Sequence, residues 1–273
     1  MLILGVKIKT NTKVGVNQKG MKAMFINLVD GIESAKYTEF DYLRMPNDYY
    51  DRTYIGWFAC SYLLRGSWYI AGGSSSGNEY NKIRIVENCG IRTHSILDEN
   101  IKLKQPVCAV VLDLAYMCSP YDYEESCWSF NGEQKGVYSI TGPHVSHKQG
   151  LMEPFNDKPY AISSYRNWQT EEYDPVTKRW SYVNEFPPEF RDLGDGTYFL
   201  FHSASVVLRG EIYIFGGSYG GEGASGRIFK INRKQKWEKI NSELKQARKG
   251  HSAILFNGSI YIVFGRAQPE WTM

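Results

Sequence analysis

The sequence predicts an all-β chain, a β-propeller of about five four-stranded blades, and three observations carry that expectation. Residues 201–237 hold one complete unit: an alternating strand at 202–208, an Arg209-Gly210 turn and an apolar strand at 211–215 ending on Gly216-Gly217. A Gly-rich loop follows, then a strand at 227–231, a basic turn and a Trp-led strand at 237–240. Copies of this unit return at a fixed interval: His202 to His251 and Gly216 to Gly265 both span 49 residues. Four short antiparallel strands make a sheet too small to bury both faces alone, so the unit needs neighbours on either side. A period near 50 with four strands per unit is the spacing of propeller blades.

Residues 1–57 precede the repeat. Residues 1–29 carry five lysines and no acid, with β-branched segments at 2–8 and 24–29 that read as one or two strands with a solvated basic face. Residues 33–57 form an acidic, Tyr-rich connector with a turn at Asn47-Asp48. The blades then fall at about 58–103, 104–146, 147–197, 198–248 and, in part, 249–273.

In the first blade Cys60 to Gly73 reads strand, Arg-Gly turn, strand, Gly72-Gly73. In the second, Val107 to Ser119 keeps the two strands but lacks the glycine pair, so the register of 104–146 stays open. In the third, Tyr173 to Trp180 is strand, Asp-Pro-x-Thr turn and strand with an aromatic at each end, and Ser163-Ser164 stands where the double glycine would be. The fifth unit ends after its inner two strands. An open ring leaves an unpaired edge, so strands from residues 2–30 pairing beside 259–263 would complete it; a part of a six-bladed ring is the alternative.

This pattern resembles the kelch repeat. The resemblance rests on Gly72-Gly73 and Gly216-Gly217 after apolar strands, on the Tyr173 to Trp180 spacing, on Trp237, on Gly265, and on the His-Ser-Ala segments at His202 and His251. It covers roughly residues 58–265 and implies a ring of blades around a central channel, used most often as a protein-binding platform. The residues alone give the same structural sense. Glycine pairs at strand ends mark positive φ or a backbone too close for a Cβ, and recurring Tyr and Trp bury flat surfaces between sheets.

A net charge of +3 is too small to argue for nucleic acid. No apolar run reaches the length of a membrane span. The opening MLILGV is followed at once by Lys7, Lys9 and Lys13 with no cleavage site, which favours the cytoplasm; an incomplete N-terminus would favour secretion.

The five cysteines, Cys60, Cys89, Cys108, Cys118 and Cys127, form no zinc spacing. Cys118 and Cys127 could face each other across a hairpin as a disulfide, Cys60 with Cys89 is another pairing, and free buried thiols are the third reading.

Propellers of the resembled kind also host sialidases, copper-radical oxidases and mutarotases. Here His147, His202 and His251 recur at the blade period and read as structural. His144 makes only a weak H-x-x-H with His147, and His94 reads as a surface loop residue. The Ser-x-Asp-x-Gly-x-x-Trp box of sialidases is absent. The expectation is therefore a non-enzymatic protein–protein interaction scaffold with no cofactor, no metal and a protein partner. The competing reading is a secreted carbohydrate-active or oxidase-like propeller. Three loops follow the second strand of a blade and so emerge at one end of the ring. They supply the candidate contacts: Asn78 and Tyr80 in the first blade, Arg166, Asn167 and Trp168 in the third, and Tyr219 in the fourth.

Overall fold

The computed structural model describes residues 2–7, 22–27, 37–39, 59–73, 79–87, 90–98, 100–119, 126–147, 150–162, 168–188, 200–219, 223–256 and 258–267. The chain divides into two compact units, Met1–Arg52 with Glu87–Ile91, and Thr53–Val86 with Arg92–Met273. In the first, β1 (Leu2–Lys7), β2 (Lys22–Asn27) and β3 (Tyr37–Glu39) form an antiparallel sheet in that order, with Leu2 opposite Asn27 and Ile26 opposite Tyr37. The connector read from the sequence thus contributes a short strand of its own.

The strands from Cys60 onward form the propeller. Its first blade is β4 (Cys60–Leu64), β5 (Ser67–Ala71), β6 (Lys82–Glu87) and β7 (Gly90–Ile96). The second is β8 (Val107–Val111), β9 (Leu114–Ser119), β10 (Ser126–Phe130) and β11 (Val137–Ile140). The third is β12 (Leu151–Phe155), β13 (Lys158–Ile162), β14 (Gln169–Asp174) and β15 (Arg179–Glu185). In the fourth, β16 (Ala204–Leu208) and β17 (Glu211–Phe215) lead through a small hairpin, β18 (Ser218–Tyr219) with β19 (Gly223–Ala224), to β20 (Ile228–Ile231) and β21 (Trp237–Lys239). The last sheet pairs β22 (Arg248–Phe256) with β23 (Ser259–Ala267).

Turn chemistry explains why each inner hairpin closes where it does. Arg65-Gly66, Leu112-Asp113, Asn156-Asp157 and Arg209-Gly210 all hold positive φ at both residues, for example 54° and 73° at Arg209 and Gly210. That is the two-residue turn whose twist matches the flanking strands, and Gly, Asn and Asp enter it at least cost. The inner strands β4, β8, β12, β16 and β22 follow one another as spatial neighbours.

Period-two alternation then divides each sheet between two cores. On β9, Ala115 and Met117 pack with Tyr62, Leu64 and Tyr69 of the first blade, whereas Tyr116 and Cys118 pack with Tyr173 and Trp180 of the third. The next core joins Tyr160 and Ile162 to Ile212, Ile214, Phe229 and Trp237. Each of these sheets is thus buried against its neighbours, the arrangement that a repeat too small to fold alone requires. Burying a side chain such as Phe229, 1% exposed, contributes about 2 kcal/mol.

Candidate functional site

In an antiparallel blade the first and third turns lie at one end and the second loop at the other. The loops after β5, β13 and β17 therefore share an end, as expected. Their feet are firmly built. Gly72 has φ +61°, and a Cβ there would run into the backbone carbonyl of Leu103, just ahead of β8; Gly73 N–H donates to that carbonyl at 3.0 Å. The fourth blade repeats the device. A Cβ on Gly216, φ +57°, would lie 2.6 Å from the Arg248 carbonyl, to which Gly217 N–H donates at 2.9 Å. Both glycine pairs seat the strand entering the following blade, and no side chain fits between.

Of the predicted contact residues, Tyr80, Trp168 and Tyr219 are among those described. Tyr80 is half-buried; its carbonyl accepts from Leu103 N–H at 3.0 Å, and Lys104 Nζ sits 5.3 Å from its ring centroid. Tyr219 lies on β18 opposite Gly223. That arm is braced by Ser218 N–H to the Phe201 carbonyl at 2.6 Å and by Ser225 N–H to the Gly217 carbonyl at 2.8 Å. Trp168 is half-buried against the core between the third and fourth blades, its ring stacked on Phe186 with centroids 6.4 Å apart. Asn78, Arg166 and Asn167 lie outside the described residues.

The acid–imidazole cluster in the third blade joins His144, His147 and Glu171. The Glu171 side chain is 0% exposed and that of His147 1%. Oε1 accepts from His144 N–H at 3.0 Å and from its ring Nδ1 at 2.6 Å, while Oε2 accepts from Val145 N–H at 3.1 Å and His147 Nε2 at 3.0 Å. A carboxylate only accepts, so both ring nitrogens carry hydrogen. Burial alone would raise the Glu171 carboxyl; the hydrogen bonds from His147 and His144 outweigh it and hold the group below the ordinary carboxylate range. The spacing of the two histidines hinted at a pair, but the acid is 27 residues from His144. It is hidden in the alternation of β14, where a bulge between Thr170 and Glu171 turns both residues inward.

The remaining histidines are structural. His94 stands on β7, not on a surface loop: Nε2 lies 3.1 Å from the Gly132 carbonyl, and its ring meets Tyr69 and Phe130 edge-on. Burial pushes the imidazoles of His202 and His251 down to about 4. Inter-blade ties use the tryptophans. Trp180 Nε1 donates to the Thr141 carbonyl at 2.7 Å, and Trp237 Nε1 donates to Asn184 Oδ1 at 3.0 Å. Tyr173 packs on Trp180 with ring centroids 5.4 Å apart.

Cys118 and Cys127 are opposite each other across β9 and β10 and form a disulfide, Cα to Cα 4.1 Å. Cys60 and Cys108 are free thiols, and Cys89 lies outside the described residues. Among the described residues no cluster of His, Cys, Asp and Glu could hold a metal ion, and no helix is long and apolar enough to cross a membrane.

Comparison with known proteins agrees with this geometry. The kelch motif family model matches residues 199–242, the fourth blade. Among solved structures, that of YjhT superposes with a TM-score of 0.67 over 93% of this chain and 86% of that chain, at 14% identity. At that identity the likeness is one of fold. No curated protein sequence matches the chain. The chain is an all-β propeller of about five blades, and its fourth blade matches the kelch motif.

Proposed function

We propose that this chain is a non-enzymatic protein-interaction scaffold, binding a protein partner through the end of the propeller that carries the β5–β6, β13–β14 and β17–β20 loops. The observation that carries the reading is the bracing of two of those loops: Gly72 and Gly216 leave no room for a Cβ, and the Gly73 and Gly217 N–H groups tie the feet of the β5–β6 and β17–β20 loops to the neighbouring blade's backbone. A rigid frame that carries Tyr80 and Tyr219 lowers the ordering cost of binding. The acid–imidazole cluster supports the same side. Glu171 already accepts four hydrogen bonds and is closed to solvent, so it holds residues 144–147 onto β14 and has no lone pair directed at a substrate.

The test is the native size of the protein in its host. Wild type is expected to migrate as a stoichiometric complex well above 31.3 kDa, and Tyr80→Ala/Arg166→Glu/Tyr219→Ala as the free chain. Free chain in both, or a complex unchanged by the substitutions, would refute the reading.

The Cys118–Cys127 disulfide favours a second reading, a propeller working in an oxidising compartment on carbohydrate. Natively expressed protein carrying this disulfide and hydrolysing or oxidising a glycoside would establish it; reduced cysteines in the native protein would remove its basis.

A further inference from the structure

The opposite end of the fourth blade carries a concentration of positive charge. Arg209 sits in the β16–β17 turn and Arg233, Lys234 and Lys236 in the β20–β21 turn, all four exposed. The two turns are locked together. Arg233 Nε and Nη2 donate to the Arg209 carbonyl at 3.0 and 2.7 Å, which lays this guanidinium over Gly210. Asn232 Oδ1 accepts from Lys234 N–H at 2.8 Å and Lys236 N–H at 3.1 Å, and Asn232 N–H donates to the Lys236 carbonyl at 3.0 Å. The carboxylates nearest these turns already have partners: Glu211 and Glu238 pair with Lys230 at 3.2 and 3.0 Å, Glu238 also accepts from Asn232 Nδ2 at 2.5 Å, and Glu172 of the third blade pairs with Lys158 at 2.7 Å while accepting from Gln235 Nε2 at 3.3 Å. Two turns with a fixed backbone thus carry four exposed cations and contain no acid of their own.

We propose that this pair of turns is a docking surface for an acidic polypeptide segment, a short run of Asp and Glu. The guanidinium of Arg233 uses two of its five N–H groups on the turn, which leaves three for a carboxylate. Rigid turns keep the ordering cost of binding low. The length of the positive field selects the partner class. In the third blade the same end mixes Asp157 and Asp174 with Lys158, Lys178 and Arg179, and in the second it shows Asp113 and Glu133 beside Lys135. The excess of positive charge stops at the blade, which suits a short acidic segment; a nucleic acid backbone tracks a longer basic stripe.

The test uses the full chain and a fluorescein-labelled peptide of eight glutamates, with an eight-lysine peptide and a single-stranded DNA oligonucleotide as comparators. Lys234→Glu/Lys236→Glu reverses charge at exposed positions held only through their backbone, and Arg209→Gln is the second variant; thermal melts verify folding of both. The expected result is saturable binding of the glutamate peptide that weakens with salt, falls at least tenfold in the charge reversal and falls measurably in Arg209→Gln. The lysine peptide should not bind. Absence of glutamate-peptide binding, equal binding by the folded charge reversal, or tighter binding of DNA through the same residues would overturn the proposal. The loop end takes no part, so failure here leaves the scaffold reading standing, and the reverse also holds.

Discussion

His147 Nε2 lies 3.0 Å from Glu171 Oε2, an imidazole and a carboxylate both shut away from water in the third blade. Removing one member of such a pair leaves the other's polar atoms buried without their partner, which is far more costly than losing a surface ion pair. Glu171→Ala is expected to lower stability by about 3 kcal/mol. Denaturant melts check the loss, and faster proteolysis within residues 141–147 checks its location. An unchanged midpoint would show that the clamp is not holding the loop.

The two glycine classes separate in a single comparison. Gly216 has positive φ and backbone on its Cβ side, whereas Gly258, φ +74°, has open space for 4 Å around the place a Cβ would take. Gly258→Ala is expected to cost about 1 kcal/mol from conformation alone. Gly216→Ala adds displacement of the Arg248 carbonyl and is expected to cost at least twice as much. Equal melting shifts would mean that the glycine pair does not seat the next blade.

Loss of the Trp237 indole N–H separates hydrogen bonding from packing. Trp237→Phe keeps an aromatic ring against Phe186 but leaves Asn184 Oδ1 without its donor, and a destabilisation of about 1–2 kcal/mol is expected. Asn184 also donates to the Tyr160 hydroxyl at 2.8 Å and to the Gln235 carbonyl at 2.5 Å, so Asn184→Leu is expected to cost more than Trp237→Phe, and a double-mutant cycle isolates the Trp237–Asn184 bond.

Stability should also respond to pH in two windows of opposite sign. Burial raises the Glu153 carboxyl from 4.5 to about 7, with the Ser205 hydroxyl, 2.5 Å away, pulling the other way. A raised carboxyl favours the protonated fold, so its contribution is present below pH 4.5 and is lost as pH rises through about 7. His202 and His251, pushed down from 6.5 to about 4, favour the neutral fold, so their contribution is present above pH 6.5 and is lost as pH falls towards 4. Glu153→Gln is expected to remove the decline between pH 4.5 and 7 and to leave the acid limb from the histidines. A Glu153→Gln curve parallel to wild type throughout would contradict this.

Much of the fold was legible because the repeat fixes both period and chemistry. Gly216-Gly217 and Gly72-Gly73 announce a backbone contact that excludes Cβ, and Tyr173, Trp180 and Trp237 announce faces between sheets. The second blade was less readable because its β9 ends on Cys118 and Ser119 in place of glycines. There the Ser119 hydroxyl does the tying, donating to the Lys102 carbonyl at 2.8 Å and accepting from Lys104 N–H at 3.0 Å. At the loop end, the sequence offered Trp168 as a candidate contact, but its stacking on Phe186 depends on a neighbour 18 residues away that no local pattern reveals. Glu171 was hidden for a related reason. A bulge breaks the alternation that would assign its face, and its imidazole partners arrive from the preceding connection.

The most direct test of the scaffold account is site-specific photo-crosslinking in the native host. A photoreactive amino acid would replace Tyr80 or Tyr219 on the loop end, or Tyr138, 55% exposed on the outer strand β11, as the comparison. The account predicts one discrete crosslinked protein from both loop-end positions and none from Tyr138. Equal crosslinking from all three positions, or none from the loop end while the protein is folded, would contradict it.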